Sequence, residues 1–380
     1  MDLDVTAPTA RLAAAAADLT RLLPGRLLDT VLAGAVLTAD GDGLLLAGTD
    51  RDLDVRLRVP AVPHTDGRVL VPARLLADTL RTLDAPEVRL VVEGSRLAVR
   101  TPAARFALPL LDGATHPGVP EPPPVAGSTP AGPLAATLGA VAGAASRDDA
   151  LPIFTGVRLH ASGDRLSLLA TDRYRLAAAT LPWDPAEGVD RGDSTSLDAL
   201  APAAVLAEVA RQASGAATAA LHADADRLAV CWDGASVATG QLAAPFPDDR
   251  LRALLTVTAA CAVEVESDAL AAAIRRAALY GGPRGTVTLR SGDAEVTVSG
   301  QAGLGGESEE AVKAAVSGDR LVRSYQAPLL ADALRAFAGR RVRITFQDGE
   351  RATALTAADP EPAAGDLHYL VVPLRIANPG

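Results

Sequence analysis

The segment "LLATDRYRLA" (168–177) places a carboxylate, two guanidiniums and a phenol at the end of an apolar run. A carboxylate among cations can serve as a catalytic acid or base. Tyrosine beside arginine is also the pairing most enriched where one protein grips another. Further acids suggest a third chemistry, since Asp148-Asp149 or Asp248-Asp249 could gather a divalent cation for phosphoester hydrolysis. That reaction needs carboxylates that converge, whereas neighbours along an extended chain point to opposite sides. His64, His116, His160, His222 and His368 show no metal spacing, and neither His-Glu-x-x-His nor Cys-x-x-Cys occurs. Lys313 is the only lysine and is followed by Ala314, so a Walker phosphate loop is impossible. "DGDG" (40–43) lacks the downstream glutamate of a calcium loop. A metal-dependent phosphoesterase is thus the remote reading, and no motif calls for a cofactor.

The elements that must position these residues repeat three times. "LLADTLR" (75–81) returns as "VLAEVAR" (205–211) and "LLADALR" (329–335). Hairpin-like stretches recur in step: "GAVLTADGDGLLLAGTD" (34–50), "GVRLHASGDRLSLLATD" (156–172) and "GTVTLRSGDAEVTVSGQ" (285–301). In each, two runs of alternating apolar residues flank a Gly/Asp/Ser turn. A helical pattern precedes each hairpin, at 9–23, 133–146 and 268–281. A period this long makes each repeat a domain rather than a solenoid unit. The Pro/Gly-rich stretch 116–133 and a fainter break near 245–256 set the boundaries, giving modules 1–122, 126–250 and 254–380. Helices segregated from antiparallel hairpins predict an α+β fold, helices on one face of a sheet.

In each repeated helix an apolar stripe predicts the buried face: Leu76, Leu80 and Leu83; Leu206, Val209 and Ala210; Leu330, Leu334 and Phe337. An acid and an arginine then turn outward together: Asp78 with Arg81, Glu208 with Arg211, Asp332 with Arg335. Thr49-Asp50 and Thr171-Asp172 are equivalent between copies, so Asp172 reads as a turn acceptor rather than a base. What copy two alone possesses is Tyr174-Arg175-Leu176, and a site is expected where one copy departs from its fellows.

With 46 acidic against 36 basic residues the net charge is −10, which argues against a protein that coats nucleic acid by neutralising phosphates. A local basic stripe on an acidic body is still possible. The amino-terminal residues lack a signal-peptide pattern and no run approaches 18 uninterrupted apolar residues, so a cytoplasmic protein is expected, with no membrane partner. Cys231 and Cys261 suggest neither a disulfide framework nor a zinc knuckle.

"ATDRYRLA" resembles the ATD-x-x-RLA signature of the bacterial sliding clamp, the β subunit of the replicative DNA polymerase. "YLVVPLRI" (369–376) is similar to that family's terminal Y-x-x-M-P-x-R-L, and "LVPARLLADTL" (70–80), "RFALPLL" (105–111) and "PFPDDR" (245–250) match in order. The resemblance implies a head-to-tail homodimeric ring of six similar domains around duplex DNA, non-catalytic and without cofactor. It would tether DNA polymerase III, the clamp loader and other DNA enzymes through their short linear peptides.

By that resemblance the peptide groove takes Phe154, Thr171, Arg173, Tyr174, Arg175 and Leu176 from copy two. Pro247, Leu251 and Leu329 follow, with Val372, Pro373, Leu374 and Arg375 at the end of the chain. Arg26, Arg81, Arg147, Arg211, Arg276 and Arg335 would face DNA. Ring closure would set Phe106 and Leu108 against Leu279 and Tyr280, with Glu307, Glu309 and Glu310 near Arg74 or Arg105. Several positions depart from the family pattern. Val372 stands at the methionine before Pro373, Leu251 at a basic position, and "RLLDTVL" (26–32) replaces a Leu-Pro-Ile-Leu element. These leave open a divergent second clamp that confers self-resistance to a clamp-targeting peptide antibiotic.

Overall fold

A computed structural model of the chain describes residues 2–23, 31–187, 195–301, 306–360 and 365–375. Its helices are α1 (Thr9–Leu22), α2 (Ala73–Arg81), α3 (Ala131–Ala142), α4 (Ala203–Ala213), α5 (Asp248–Ala253), α6 (Ser267–Ala278) and α7 (Ala327–Arg335). The three hairpins form where the alternation requires them: Gly34–Asp40 with Gly43–Thr49, Gly156–Ser162 with Arg165–Thr171, and Thr286–Ser291 with Glu295–Gln301. Burial follows the helical stripes. Leu76, Leu80, Leu206, Val209, Leu330, Leu334 and Phe337 are almost wholly covered, while Arg81, Arg211 and Arg335 are exposed. No described helix is long and apolar enough to cross a membrane.

Contacts group the chain into two compact units, residues 1–132 with 211–241, and 133–210 with 242–380. The first unit contains a five-stranded sheet ordered Val62–Thr65, Asp4–Pro8, Glu87–Glu93, Arg96–Arg100, Arg105–Pro109, whose last strand is an open edge. Its larger sheet runs through Val125–Pro130, Thr218–Ala223, Arg227–Trp232, Ala235–Gly240, Leu53–Val59, Gly43–Thr49, Gly34–Asp40 and Gly67–Pro72. The second unit carries a sheet of twelve strands that passes from Thr195–Pro202 to Val322–Gln326.

Each unit is joined by pairing between strands of different repeats. In the first, Leu53–Val59 pairs antiparallel with Ala235–Gly240, Val55 opposite Val237. In the second, Arg175–Pro182 pairs antiparallel with Asp366–Val371, Arg175 opposite Val371 and Leu176 opposite Leu370. Strand pairing satisfies backbone groups that would otherwise stand at an open edge. At the first joint Asp54 is 3% exposed, and Arg227 Nη2 reaches its Oδ2 at 2.5 Å. A carboxylate so deeply covered is tolerated only with its cation present. Arg227→Ala is therefore expected to lower unfolding free energy in urea by about 3 kcal/mol, and the double variant Asp54→Ala/Arg227→Ala to recover most of that loss.

Candidate functional site

The loop that closes the second hairpin is built by its own side chains. Thr171 Oγ1 accepts the Arg173 N–H at 3.1 Å, and Asp172 Oδ1 accepts the N–H groups of Tyr174 and Arg175, each at 2.9 Å. Arg173 is held at φ 79°, in the left-handed region. Asp172 thus acts as a turn acceptor, as its equivalence to Asp50 predicts. Arg175 is 7% exposed and donates through Nε to Asp172 Oδ2 at 2.9 Å and through Nη1 to Asp332 Oδ2 at 2.8 Å. Its covered guanidinium is a structural element, and Thr171 is equally enclosed, its hydroxyl donating to the Arg175 carbonyl at 2.6 Å. Tyr174 stands out into solvent at 53% exposure, with the Arg173 guanidinium 6.0 Å from its ring centre.

An apolar floor lies beside this loop. Leu176 packs with Leu169, Ala178, Ala354 and Leu370, and over them lie the half-buried Phe246, Leu251, Leu255 and Val257. Pro247 precedes α5 and is half-buried, so α5 brings Leu251 down onto the floor. The last described segment forms a second wall: the Val372 N–H donates to the Tyr174 carbonyl at 2.9 Å and the Leu374 N–H to the Ser324 carbonyl at 2.7 Å. Val372 is exposed, Pro373 buried and Leu374 half-buried. Arg375 is exposed and pairs with Glu350 at 3.0 Å. Leu329, in the first turn of α7, is half-buried outside the Leu176 cluster, as is Phe154 at the end of a short 3₁₀ turn. The structure therefore gathers Tyr174, Leu176, Leu251 and Val372 around one apolar surface. Phe246, Leu255 and Leu370 belong to it too and were missed. Phe246 sits inside "PFPDDR", where a scarce aromatic was the available signal.

The other predicted residues fall on two further surfaces. Arg81 pairs with Asp78 at 3.1 Å, Arg335 with Asp332 at 2.8 Å, and Arg211 with Asp18 at 2.9 Å, all on exposed helix faces. Arg147 is exposed beyond α3, and Arg26 lies outside the described residues. Arg276, expected to face DNA, instead holds Glu310, expected at the subunit interface, with contacts of 2.9 and 2.5 Å. On the open-edge strand Arg105–Pro109, Phe106 is 39% exposed, but Leu108 is 1% exposed and packs inward, so only its backbone can serve an edge contact. Arg105 pairs with Glu93 of its own unit at 2.5 Å, and Arg74 is exposed beside Leu75, an exposed apolar residue that the sequence reading passed over. Leu279 is 83% exposed and Tyr280 40%, beyond the end of α6. Glu307, Glu309 and Glu310 lie on the strand Glu307–Gly318, whose half 307–313 pairs with 295–301.

Asp148 accepts the Ala150 N–H at 3.0 Å, and Asp248 pairs with Arg158 at 3.0 Å, ordinary turn and ion-pair duties. No group of three metal-ligating side chains occurs among the described residues.

Models of the DNA polymerase III beta subunit match the chain in order: the N-terminal domain at residues 3–120, the central domain at 130–248 and the C-terminal domain at 253–375. The chain belongs to this family. A beta sliding clamp of Micrococcus luteus is 32% identical over 284 residues, covering 74% of this chain and 89% of that one. The beta sliding clamp homolog GriR of Streptomyces muensis is 28% identical over 349 residues, covering 91% and 92%. The fold is that of the Pseudomonas aeruginosa sliding clamp solved with griselimycin bound, at TM-score 0.86, 22% identity and coverage of 99% and 100%. The family comprises non-catalytic processivity factors.

Beneath the loop the Tyr369 phenol is 1% exposed. Burial pushes its pKa up from 10.0 to about 12, against the pull of the Arg175 charge. Tyr325, also buried, is raised for the same reason. Below pH 10 the Tyr369 phenol is neutral in folded and unfolded chains alike. Above it the unfolded chain gives up the proton first, so stability falls as pH rises from about 10 toward 12. For Tyr369 the loss is about 2–3 kcal/mol across that window. Urea unfolding of Tyr369→Phe should show a shallower alkaline decline than the parent chain, while Tyr325 keeps part of it.

Proposed function

We propose that this protein is a sliding clamp that encircles duplex DNA and tethers the replicative polymerase, the clamp loader and other DNA enzymes by their short linear peptides. The ordered match of all three family domains, from residue 3 to residue 375, is the observation that carries this reading. The modules are 1–122, 126–250 and 254–380, and the protein works in the cytoplasm. The peptide groove is the surface of Leu176, Leu251, Phe246 and Leu370, rimmed by Tyr174 on one side and Val372 to Leu374 on the other. Leucine, valine and proline walls accept a partner's apolar side chains, while tyrosine and arginine orient its backbone and acids.

Head-to-tail closure of two subunits fits the edge strand 105–109 with Phe106 and the segment 307–313, paired with 295–301 on one side, with Leu279 and Tyr280 nearby. Such a heterologous contact closes a ring when its rotation permits. Arginines on α2, α4 and α7 give the helix faces a mild attraction for phosphate, and an encircling ring needs no more, because each extra phosphate contact adds friction. The self-resistance role gains no support over the ordinary one, since the chain is no more similar to GriR than to the Micrococcus clamp.

The reading is tested by titrating a fluorescent clamp-binding peptide taken from the polymerase's catalytic subunit. Tyr174→Ala and deletion of 371–380 should each weaken binding about tenfold or more, the usual effect of removing an interface anchor. Equal affinity in all three chains would refute the groove. In solution the protein should have twice the 38.7 kDa chain mass by light scattering, and a monomer at micromolar concentration would refute the ring.

A further inference from the structure

We infer that Asp332 on α7 is the positioning residue of the groove loop, fixing Tyr174 by anchoring Arg175. The inference rests on the groove reading above. The chain contains its own control. Loop 49–53 repeats the backbone N–H bonds of loop 171–175: Thr49 Oγ1 accepts the Arg51 N–H at 2.9 Å, Asp50 Oδ1 accepts the N–H groups of Asp52 at 3.1 Å and Leu53 at 2.7 Å, and Arg51 has φ 86°. In both loops the aspartate N–H also closes on the carbonyl three residues on, at 3.1 and 3.3 Å. Copy one makes this turn with Leu53 where copy two has Arg175. The arginine is therefore not needed for the turn, and its two ion pairs serve something else.

One of those pairs is local, because Asp172 belongs to the loop. The other leaves it. Asp332 Oδ2 takes Arg175 Nη1 at 2.8 Å, and Asp332 Oδ1 is held by Arg335 at 2.8 Å, so the carboxylate is fixed from both sides. Its helix is seated by Leu330, Ala333, Leu334 and Phe337, each at most 1% exposed. The loop is thus bolted to a buried helix through a guanidinium that has little water to fall back on. Tyr174 adjoins Arg175, and its carbonyl receives the Val372 N–H at 2.9 Å, so the two walls of the groove meet beside this anchor. A recognition residue held by a locked neighbour binds better than one that must be ordered on contact.

Full-length Asp332→Asn, Asp332→Glu, Tyr174→Ala and the double variant Asp332→Asn/Tyr174→Ala decide the matter with the same polymerase-derived peptide. Asp332→Asn should weaken binding about five- to tenfold, Asp332→Glu should restore it to within about threefold, and the double variant should bind no worse than Tyr174→Ala alone. Hydrogen exchange at the Tyr174 and Arg175 amides should quicken about tenfold in Asp332→Asn, beyond any change at amides of the surrounding strands. Unaltered exchange, exchange that quickens no more in the loop than across the sheet, or a purely additive double variant would overturn the assignment. Should the parent chain bind no peptide, the groove reading falls, while the exchange measurement still decides whether Asp332 anchors the loop.

Discussion

Pairing of strands that belong to different repeats is the constraint on which the rest of the molecule depends. A lone module would leave the edges Leu53–Val59 and Arg175–Pro182 unsatisfied. In the chain they are completed by Ala235–Gly240 and Asp366–Val371. The second of these joints also makes the site. Placing Leu176 opposite Leu370 sets residues nearly two hundred positions apart side by side on one face, and the floor of the groove is their common surface. A one-residue slip would turn every side chain of the joining strand to the other face. The register of the joint therefore decides whether there is a groove at all.

Charge is handled with similar economy. An acid three residues before an arginine recurs at the ends of α2, α4 and α7, and Asp18-x-x-Arg21 repeats it in α1. On α1, α2 and α7 the pair is closed in the structure. Such exposed pairs contribute a few tenths of a kcal/mol to the helix. Their larger consequence is that each guanidinium arrives partly neutralised. Attraction for phosphate is moderated with it, since affinity and its salt dependence both grow with each phosphate fully neutralised. The remaining acids keep the body of the protein negative.

Much of this was legible before any coordinates. Periodicity in Leu76, Leu80, Leu330 and Leu334 announced the buried helix faces, and the equivalence of Asp50 with Asp172 told a turn acceptor from a catalytic base. These features are local, or repeated, and the chain states them more than once. What stayed hidden depends on distant pairing. Nothing near Leu108 says that it is covered while Phe106, two residues earlier on the same strand face, is left 39% exposed. Nothing near Arg276 says that Glu310, thirty-four residues on, will hold it. Asp332 looked like one more exposed acid, because its partner Arg175 lies 157 residues earlier in the chain.

The two repeats also differ in what lies over the corresponding sheet face. In copy one the linker itself packs on this face of the sheet. Leu111 and Val119 pack onto Val36, Ala47 and Leu70, the Leu111 N–H bonds to the Leu70 carbonyl at 2.8 Å, and Arg56 holds Val119 and Glu121 from the neighbouring strand. In copy two the corresponding connection folds into α5 and covers the Leu176 floor only in part. Tyr174, Leu254 and Val372 are left between 41% and 55% exposed around it. The same sheet face meets the chain's own Leu111 and Val119 in one repeat and α5 in the next. Small differences suffice for this. Proline-rich 116–124 disfavours a helix, whereas "DDRLRALL" (248–255) contains α5, sets Leu251 and Leu255 onto the floor and covers it only in part.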